Sequence, residues 1–251
     1  MSNLFSVKDK VIIVTGAARG NGRAIAQGFL DAGAIVFCVD ILDEVETVEA
    51  PHGNGRGYPV KCDLRDKEAI ERLVSQITDT LGRVDVLVNN AGVSLTATDP
   101  YNEEVWDRTF EVNVRAAFLL SKRVSQVMIR QRGGAIINIT SLGAMLGFPN
   151  NPAYVASKGA LKQLTMAMAR DLARFNIRVN NICPGYILTD MTLKSYNDPV
   201  LKSDMDKRIM LGRWGSPKDL VGPCLFLASE GANYITGIDL PVDGGWLANG
   251  L

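Results

Sequence analysis

Tyr154 and Lys158 stand four residues apart, and Ser141 lies thirteen positions ahead of Tyr154. Asn151-Pro152 reads as a helix start, with asparagine as the cap and proline in the first turn. Residues four apart share one face of a helix, so the phenol and the ammonium are neighbours. A phenol has an ordinary pKa of about 10, too high for an efficient base near neutrality. A nearby ammonium favours the phenolate and lowers that value. The pair therefore has the makings of a tuned acid–base group. The preceding apolar run ends at Ile139-Thr140-Ser141, which puts Ser141 at the carboxyl edge of a strand.

A second chemistry sits near the start of the chain. Thr15-Gly16-Ala17-Ala18-Arg19-Gly20-Asn21-Gly22 follows the first apolar run directly and opens a helix whose inner face carries Ile25, Phe29 and Leu30. Glycines let such a turn approach a pyrophosphate, and the helix N-terminus offers free N–H groups and a positive dipole end. A strand before the turn and an amphipathic helix after it make a dinucleotide site the better reading. The second strand ends in Asp40, 18 residues beyond Gly22. A carboxylate there accepts hydrogen bonds from ribose hydroxyls and repels a 2′-phosphate, which favours NAD over NADP. Arg19 argues the other way, since a basic residue inside the turn could neutralise that phosphate. Asn89-Asn90-Ala91-Gly92 closes the fourth strand with residues small enough to fit beside a ribose. Asp63, just past the third, could accept from an adenine amino group.

Positioning these groups requires a regular frame. Continuous β-branched runs at Val11–Val14, Ile35–Val39, Tyr58–Lys61, Val86–Val88, Ile136–Ile139, Arg178–Ile182 and Ile238–Pro241 suit strands buried on both faces of a parallel sheet. Helical periodicity falls near 22–32, 66–81, 103–131, 152–175 and 217–229. Alternating strands and helices predict an α/β fold with one doubly wound parallel sheet and helices on both faces. Ligands then bind beyond the carboxyl ends of the strands. Residues 1–251 read as one domain, because an α/β sheet covered on both faces can bury a core of this size. Segment 185–216 is the least regular and is expected to form a substrate lid, with short helices in it.

Composition excludes other classes. The 27 basic and 27 acidic side chains cancel, without a basic stripe of the kind that binds nucleic acid. Apolar runs are strand-sized, and the N-terminal residues do not read as a signal peptide, so a cytoplasmic, membrane-independent protein is expected. Cys38, Cys62, Cys183 and Cys224 are far apart and His52 is the sole histidine, which argues against a metal site and for buried reduced thiols. His52 itself reads as a solvated turn residue.

The motifs Thr15–Gly22, Asn89–Gly92, Asn113, Ser141, Tyr154, Lys158 and Pro184-Gly185, in this order and spacing, resemble the short-chain dehydrogenase/reductase family over nearly the whole chain. The resemblance implies a Rossmann fold and hydride transfer between a nicotinamide and an alcohol or ketone carbon. It makes Tyr154 the acid/base on the substrate oxygen, Ser141 the hydrogen-bond partner of that oxygen, and Lys158 the tuner of Tyr154 and binder of the nicotinamide ribose. Asn113 would hold a water linking Lys158 to solvent. Pro184 and Gly185 would pass close to the nicotinamide, with Ile187 and Thr189 following them there. Ile41 and Leu64 would complete the cofactor site with Gly16, Arg19, Gly20, Asn21, Gly22, Asp40, Asp63, Asn90, Ala91 and Gly92. The family further implies a homotetramer, with helices 103–131 and 152–175 at one interface and helix 217–229 with the last strand at another.

Substrate selection is expected from Ser94 and Leu95, from Leu142 to Asn150, from Met191 to Tyr196 and from the tail near Trp246. Asn150, Asn151, Lys194 and Arg213 are candidates for hydroxyls or a carboxylate. The ending Pro241–Ala248 resembles that of bacterial sugar-acid dehydrogenases, which points to a sugar, polyol or sugar acid. Two alternatives compete. An NADPH-dependent reductase of β-ketoacyl thioesters would share the core motifs and a segment like Gly212-Arg213-Trp214-Gly215, although Asp40 counts against NADPH. A catalytically silent nucleotide sensor would share the fold but would be expected to lack Ser141, Tyr154 or Lys158, all of which are present.

Overall fold

The computed structural model describes residues 4–47 and 55–249; His52 lies outside them. Seven parallel strands form one sheet in the order β3-β2-β1-β4-β5-β6-β7. They are β1 Val11–Thr15, β2 Ile35–Asp40, β3 Arg56–Lys61, β4 Val86–Asn89, β5 Gly134–Ile139, β6 Ile177–Pro184 and β7 Asp239–Val242. All seven apolar runs read from the sequence are strands. The order reverses between β1 and β4, the position at which such sheets bind ligands beyond the carboxyl ends of their strands.

Residues of the central strands face one of two apolar layers. Ile12 and Val14 pack with α1 (Gly20–Asp31) on one face, while Val11 and Ile13 pack on the other with α2 (Lys67–Leu81). The second face also receives α4 (Ala117–Gln131) and α5 (Pro152–Leu172), and the first receives α8 (Val221–Ala228). Local signals set the ends: Asp66 caps α2 by accepting from the Glu68 N–H at 2.9 Å, and Gly82 ends it in the left-handed region at φ 71°.

The helix expected over 103–131 carries a wider turn inside it. α3 (Glu103–Phe110) runs into a π-helical turn, Glu111–Ala116, before α4 begins. Asn113 sits in that turn, a common place for a functional residue. Segment 185–216 contains α6 (Leu193–Asn197) and α7 (Pro199–Arg208) and returns to its own base. There Leu188 N–H donates to the Gly215 carbonyl and Gly215 N–H to the Tyr186 carbonyl, both at 2.9 Å. Among the described residues, no helix is long and apolar enough to cross a membrane. All four cysteines are buried and free.

Candidate active site

The glycine turn bends out of β1 and meets the end of β4. Gly16 has φ +67°, and a Cβ on it would come within 2.8 Å of Asn90 Nδ2 and 2.9 Å of Ala91 Cα. At Gly22 a Cβ would lie 2.0 Å from the Gly16 carbonyl oxygen, which no side chain tolerates. Asn90 fastens the two loops: its Nδ2 donates to the Thr15 carbonyl at 2.9 Å and the Gly16 carbonyl at 3.2 Å. Thr15 Oγ1 in turn accepts the N–H groups of Asn90 and Ala91, each at 3.0 Å. The result is a shallow cradle at the first turn of α1, whose N–H groups have no intrahelical acceptor.

Asp40 lies beside that cradle. Its Oδ2 accepts the Ala18 N–H at 3.0 Å and its Oδ1 the Leu42 N–H at 3.1 Å, so the carboxylate is fixed but half exposed. Arg19 reaches across to Asp190 of segment 185–216, 3.5 Å away, through solvent-exposed side chains. Thr189 stands over the same turn, its Cγ2 3.6 Å from where a Gly20 Cβ would be. Asn21 Oδ1 is a buried acceptor without a donor. A dinucleotide fits this frame: it would fill the cradle that glycines leave open, and its ribose or amide groups would supply that donor. Asp63 is less free than the sequence implies, because Arg65 takes both its oxygens (2.6 Å to Oδ2, 3.0 Å to Oδ1) and holds its pKa below the ordinary value. Ile41 is exposed, and Leu64 packs on the second apolar layer.

Ser141, Tyr154, Lys158 and Asn113 converge at the carboxyl edge of β4 and β5. The Ser141 hydroxyl accepts the Gly143 N–H at 3.0 Å and lies within hydrogen-bonding reach of the Tyr154 phenol. Lys158 Nζ is 5.7 Å from the Tyr154 ring centroid and donates to the Ile139 carbonyl at 2.9 Å. A Cβ on Gly92 would lie 3.2 Å from Asn113 Oδ1 and 3.4 Å from Lys158 Nζ, so this glycine leaves room for both.

Two expectations are corrected here, at Tyr154 and at Asn151. Burial is the largest influence on Tyr154 and raises its pKa, and the Ser141 hydrogen bond opposes it. Lys158 is itself pushed down to about 8 by burial, with the Cys183 sulfur partly opposing. The Asn113 side chain accepts the Val93 N–H at 2.8 Å and donates to the Val93 carbonyl at 2.9 Å and Ser157 Oγ at 3.0 Å, which leaves Oδ1 a second lone pair. Gly185 makes its close approach to Asp243, whose Cα would be 2.7 Å from a Cβ, and its N–H donates to the Val242 carbonyl; Pro184 ends β6 beside it. Asn151 occupies the cap position of α5 but makes no side-chain cap; its Nδ2 donates instead to Ser94 Oγ at 2.8 Å.

Leu142, Trp214 and Trp246 form a small apolar cluster with Phe148, Tyr186 and Tyr196, so segment 185–216 and the C-terminal tail pack against the residue that follows Ser141. Ile187 is buried in the main core, and Met191 is half exposed. Arg213 donates to Asp219 at 2.8 and 2.9 Å, which fastens the base of segment 185–216. Lys194 is exposed.

One polar row escaped the sequence reading, which took its first member, Asn89, only as part of the turn closing β4. Asn89, Asn138, Asn181 and Asp239 are register neighbours across β4, β5, β6 and β7. Asn89 Nδ2 donates to Asn138 Oδ1 at 2.8 Å and to Ser121 of α4. Asn138 Nδ2 donates to Thr165 Oγ1 of α5, and Thr165 donates to Asn181 Oδ1, both at 2.6 Å. Asn181 Nδ2 reaches Asp239 Oδ1, and Lys162 closes the row on Asp239 Oδ2 at 2.9 Å. This row bolts α5, which carries Tyr154 and Lys158, to the sheet. Its residues are scattered in sequence, and nothing local marks them as partners.

A glycine cradle at the strand-order reversal and a serine, tyrosine and lysine at the same edge define a nicotinamide-dependent oxidoreductase acting on CH–OH groups. Residues 16–247 match the family model described as enoyl-(acyl carrier protein) reductase. The chain is 38% identical to 2-dehydro-3-deoxy-D-gluconate 5-dehydrogenase of Pseudoalteromonas atlantica, over 98% of this chain and 99% of that one. It is 38% identical to the NAD-dependent glycerol dehydrogenase of Listeria innocua, over 96% and 95%. A crystal structure of a gluconate 5-dehydrogenase from Burkholderia cenocepacia, in complex with NADP and tartrate, is 30% identical and superposes with a TM-score of 0.91 over 98% of each chain. The chain belongs to the short-chain dehydrogenase/reductase family.

Proposed function

We propose that this enzyme oxidises a secondary alcohol of a sugar, polyol or sugar acid with NAD, or reduces the corresponding ketone. The observation that carries the reading is the Tyr154 phenol within reach of Ser141, one helical turn from the Lys158 ammonium, at the edge that holds the glycine cradle. Tyr154 takes the hydroxyl proton of the alcohol as the carbon–hydrogen bond gives up its hydride. Ser141 hydrogen-bonds the same oxygen and steadies its developing charge. The nicotinamide, when bound, accepts the hydride and carries the redox chemistry. Lys158 binds the adjoining ribose, and its charge favours the phenolate. Asn113 keeps Val93 and Ser157 in register with this group and would hold the expected water.

Asp40 supports NAD, since its fixed carboxylate at the end of β2 would face the adenosine ribose. Arg19 supports the competing choice, being exposed in the glycine turn. Gly16, Gly20, Asn21, Gly22, Asn90, Ala91 and Gly92 would hold the pyrophosphate and riboses. Asp63, Leu64 and Ile41 would border the adenine, while Pro184, Gly185, Ile187 and Thr189 would flank the nicotinamide. Ser94 and Met191 face the substrate with Ser141 and Tyr154. Residues 1–251 act as one catalytic unit with 185–216 as its substrate-binding loop. The half-exposed Trp106, Phe118 and Met166 on α3, α4 and α5 support assembly into a homotetramer. The four free cysteines support a reducing, cytoplasmic setting.

The test is nicotinamide absorbance over a panel of simple alcohols, polyols and sugar acids, each with NAD and with NADP, beside Tyr154→Phe. An NAD-linked signal with a polyhydroxylated substrate, lost in the variant, is the expected result. Preference for NADP would reverse the weight given to Asp40 over Arg19. Faster turnover of simple alcohols than of every polyhydroxylated substrate would overturn the substrate class.

A further inference from the structure

Asn151 is an asparagine in a cap position that does not cap. An asparagine cap contributes about 1 kcal/mol to a helix, so diverting it needs another partner of comparable use. That partner is Ser94, 57 residues away, whose Oγ accepts from Asn151 Nδ2 at 2.8 Å. The diversion is built into the backbone. Asn150 stands at φ +59°, a left-handed conformation, and Asn151 follows at φ −146° and ψ 52°. Both ends of the bridge are tied to the reacting groups. Ser94 follows Val93, which Asn113 grips by its N–H and its carbonyl. Asn151 precedes Tyr154 by three residues at the start of the same helix.

The bridge leaves two unmet valences. Ser94 Oγ has accepted a hydrogen bond, so its own proton is available to donate. Asn151 Oδ1 is buried and has no partner, which costs a protein about 1–3 kcal/mol if nothing satisfies it. One donor and one acceptor side by side match a hydroxyl, which both accepts and donates. A carboxylate could take the Ser94 proton but would have none to give to Oδ1, and a methylene could do neither.

We propose that Ser94 and Asn151 form a hydroxyl-reading pair that recognises a second, non-reacting hydroxyl of the substrate, with Asn151 also positioning Ser94. This rests on the polyhydroxylated reading above and sharpens it: the pair selects a hydroxyl at this position over a carboxylate or an unsubstituted carbon. Such a site discriminates strongly, because a substrate without the group leaves buried polar atoms unpaired.

The experiment compares wild type, Ser94→Ala, Ser94→Thr and Asn151→Ala in steady-state oxidation of two substrates. One is glycerol or gluconate, whichever the wild type oxidises faster, and the other is cyclopentanol. Cofactor affinity, read by nicotinamide fluorescence, reports whether each variant retains its fold. The ratio of kcat/KM for the polyhydroxylated substrate to that for cyclopentanol is expected to fall about tenfold in Ser94→Ala and Asn151→Ala. The fall should lie mainly in KM, and Ser94→Thr, which keeps a hydroxyl, should restore most of it. An unchanged ratio, a parallel loss on both substrates, or no rescue by threonine would overturn the pair. The wild type's own ratio reads the substrate class separately, so the two ideas fail independently.

Discussion

The two ends of the cleft are built by opposite means. At the nucleotide end the decisive feature is missing matter: Gly16 and Gly22 leave backbone and amide atoms room that a single carbon would fill. At the chemical end it is the side chains that matter, and each is held by another. Asn113 grips Val93 and Ser157, Lys158 hangs from the Ile139 carbonyl, and Thr165 bolts the helix below to the sheet. A site made by absence tolerates no addition, and a site made by held groups tolerates no deletion. The contrast predicts where single changes do most harm.

The largest effect should come from deleting one oxygen at the chemical end. Tyr154→Phe is expected to cost about 10²–10⁴-fold in turnover while cofactor affinity stays near wild type. Comparable loss of both would mean the two ends are not separable. Adding one carbon at the other end is the converse. Gly22→Ala must displace the Gly16 carbonyl, so it should lose about 3 kcal/mol in denaturant unfolding together with cofactor affinity. Gly20→Ala meets only Thr189 at 3.6 Å and should cost no more than about 1–2 kcal/mol, from its left-handed backbone at φ +56°. Equal effects at the two glycines would show that backbone strain, and not the close approach, sets the cradle.

A third change probes the bolts beneath α5. Thr165→Val keeps the shape of the side chain but removes the partner of Asn138 Nδ2 and of Asn181 Oδ1. Two buried polar groups lose their partners, which should cost about 2–3 kcal/mol of stability. A variant as stable as wild type would show that the row is ornamental. The smallest effect is a slope with pH. Lys158 is held at about 8 against an ordinary 10.5, so between these values the unfolded chain binds a proton that the folded chain has released. Stability therefore rises with pH across that window, by up to about 1 kcal/mol per unit, relative to Lys158→Met. A flat difference between the two proteins from pH 8 to 10 would show that burial does not depress this lysine.

How much of this could be read from residues alone differs between the two ends for the same reason. Glycines with a strand before them and an amphipathic helix behind them announce a cradle, because only glycine can stand where a Cβ would collide. Asp40 at the end of a strand is likewise fixed by local order. Five of the seven strands were readable because they are buried on both faces, which demands an unbroken apolar run; β3 and β7, at the edges of the sheet, are partly exposed. Tyr154 and Lys158 were readable because a helix places i and i+4 together whatever surrounds them.

What the chain order could not express is which distant groups meet. The diversion of Asn151 to Ser94, the capture of Arg213 by Asp219 and the close approach of Gly185 to Asp243 join residues that only the folded chain brings together. The polar row from Asn89 to Asp239 depends on strand register, and a parallel sheet sets register through crossovers that leave no local mark. Burial decided the electrostatics in the same way. Spacing alone set the ammonium beside the phenol, but the dry surroundings of both raised one pKa and lowered the other, because removing water from a charge outweighs a neighbour several ångströms away. Local sequence thus determined the elements and the residue types at the reacting edge. Packing decided how those residues are held, charged and paired, since these depend on contacts between segments far apart in the chain.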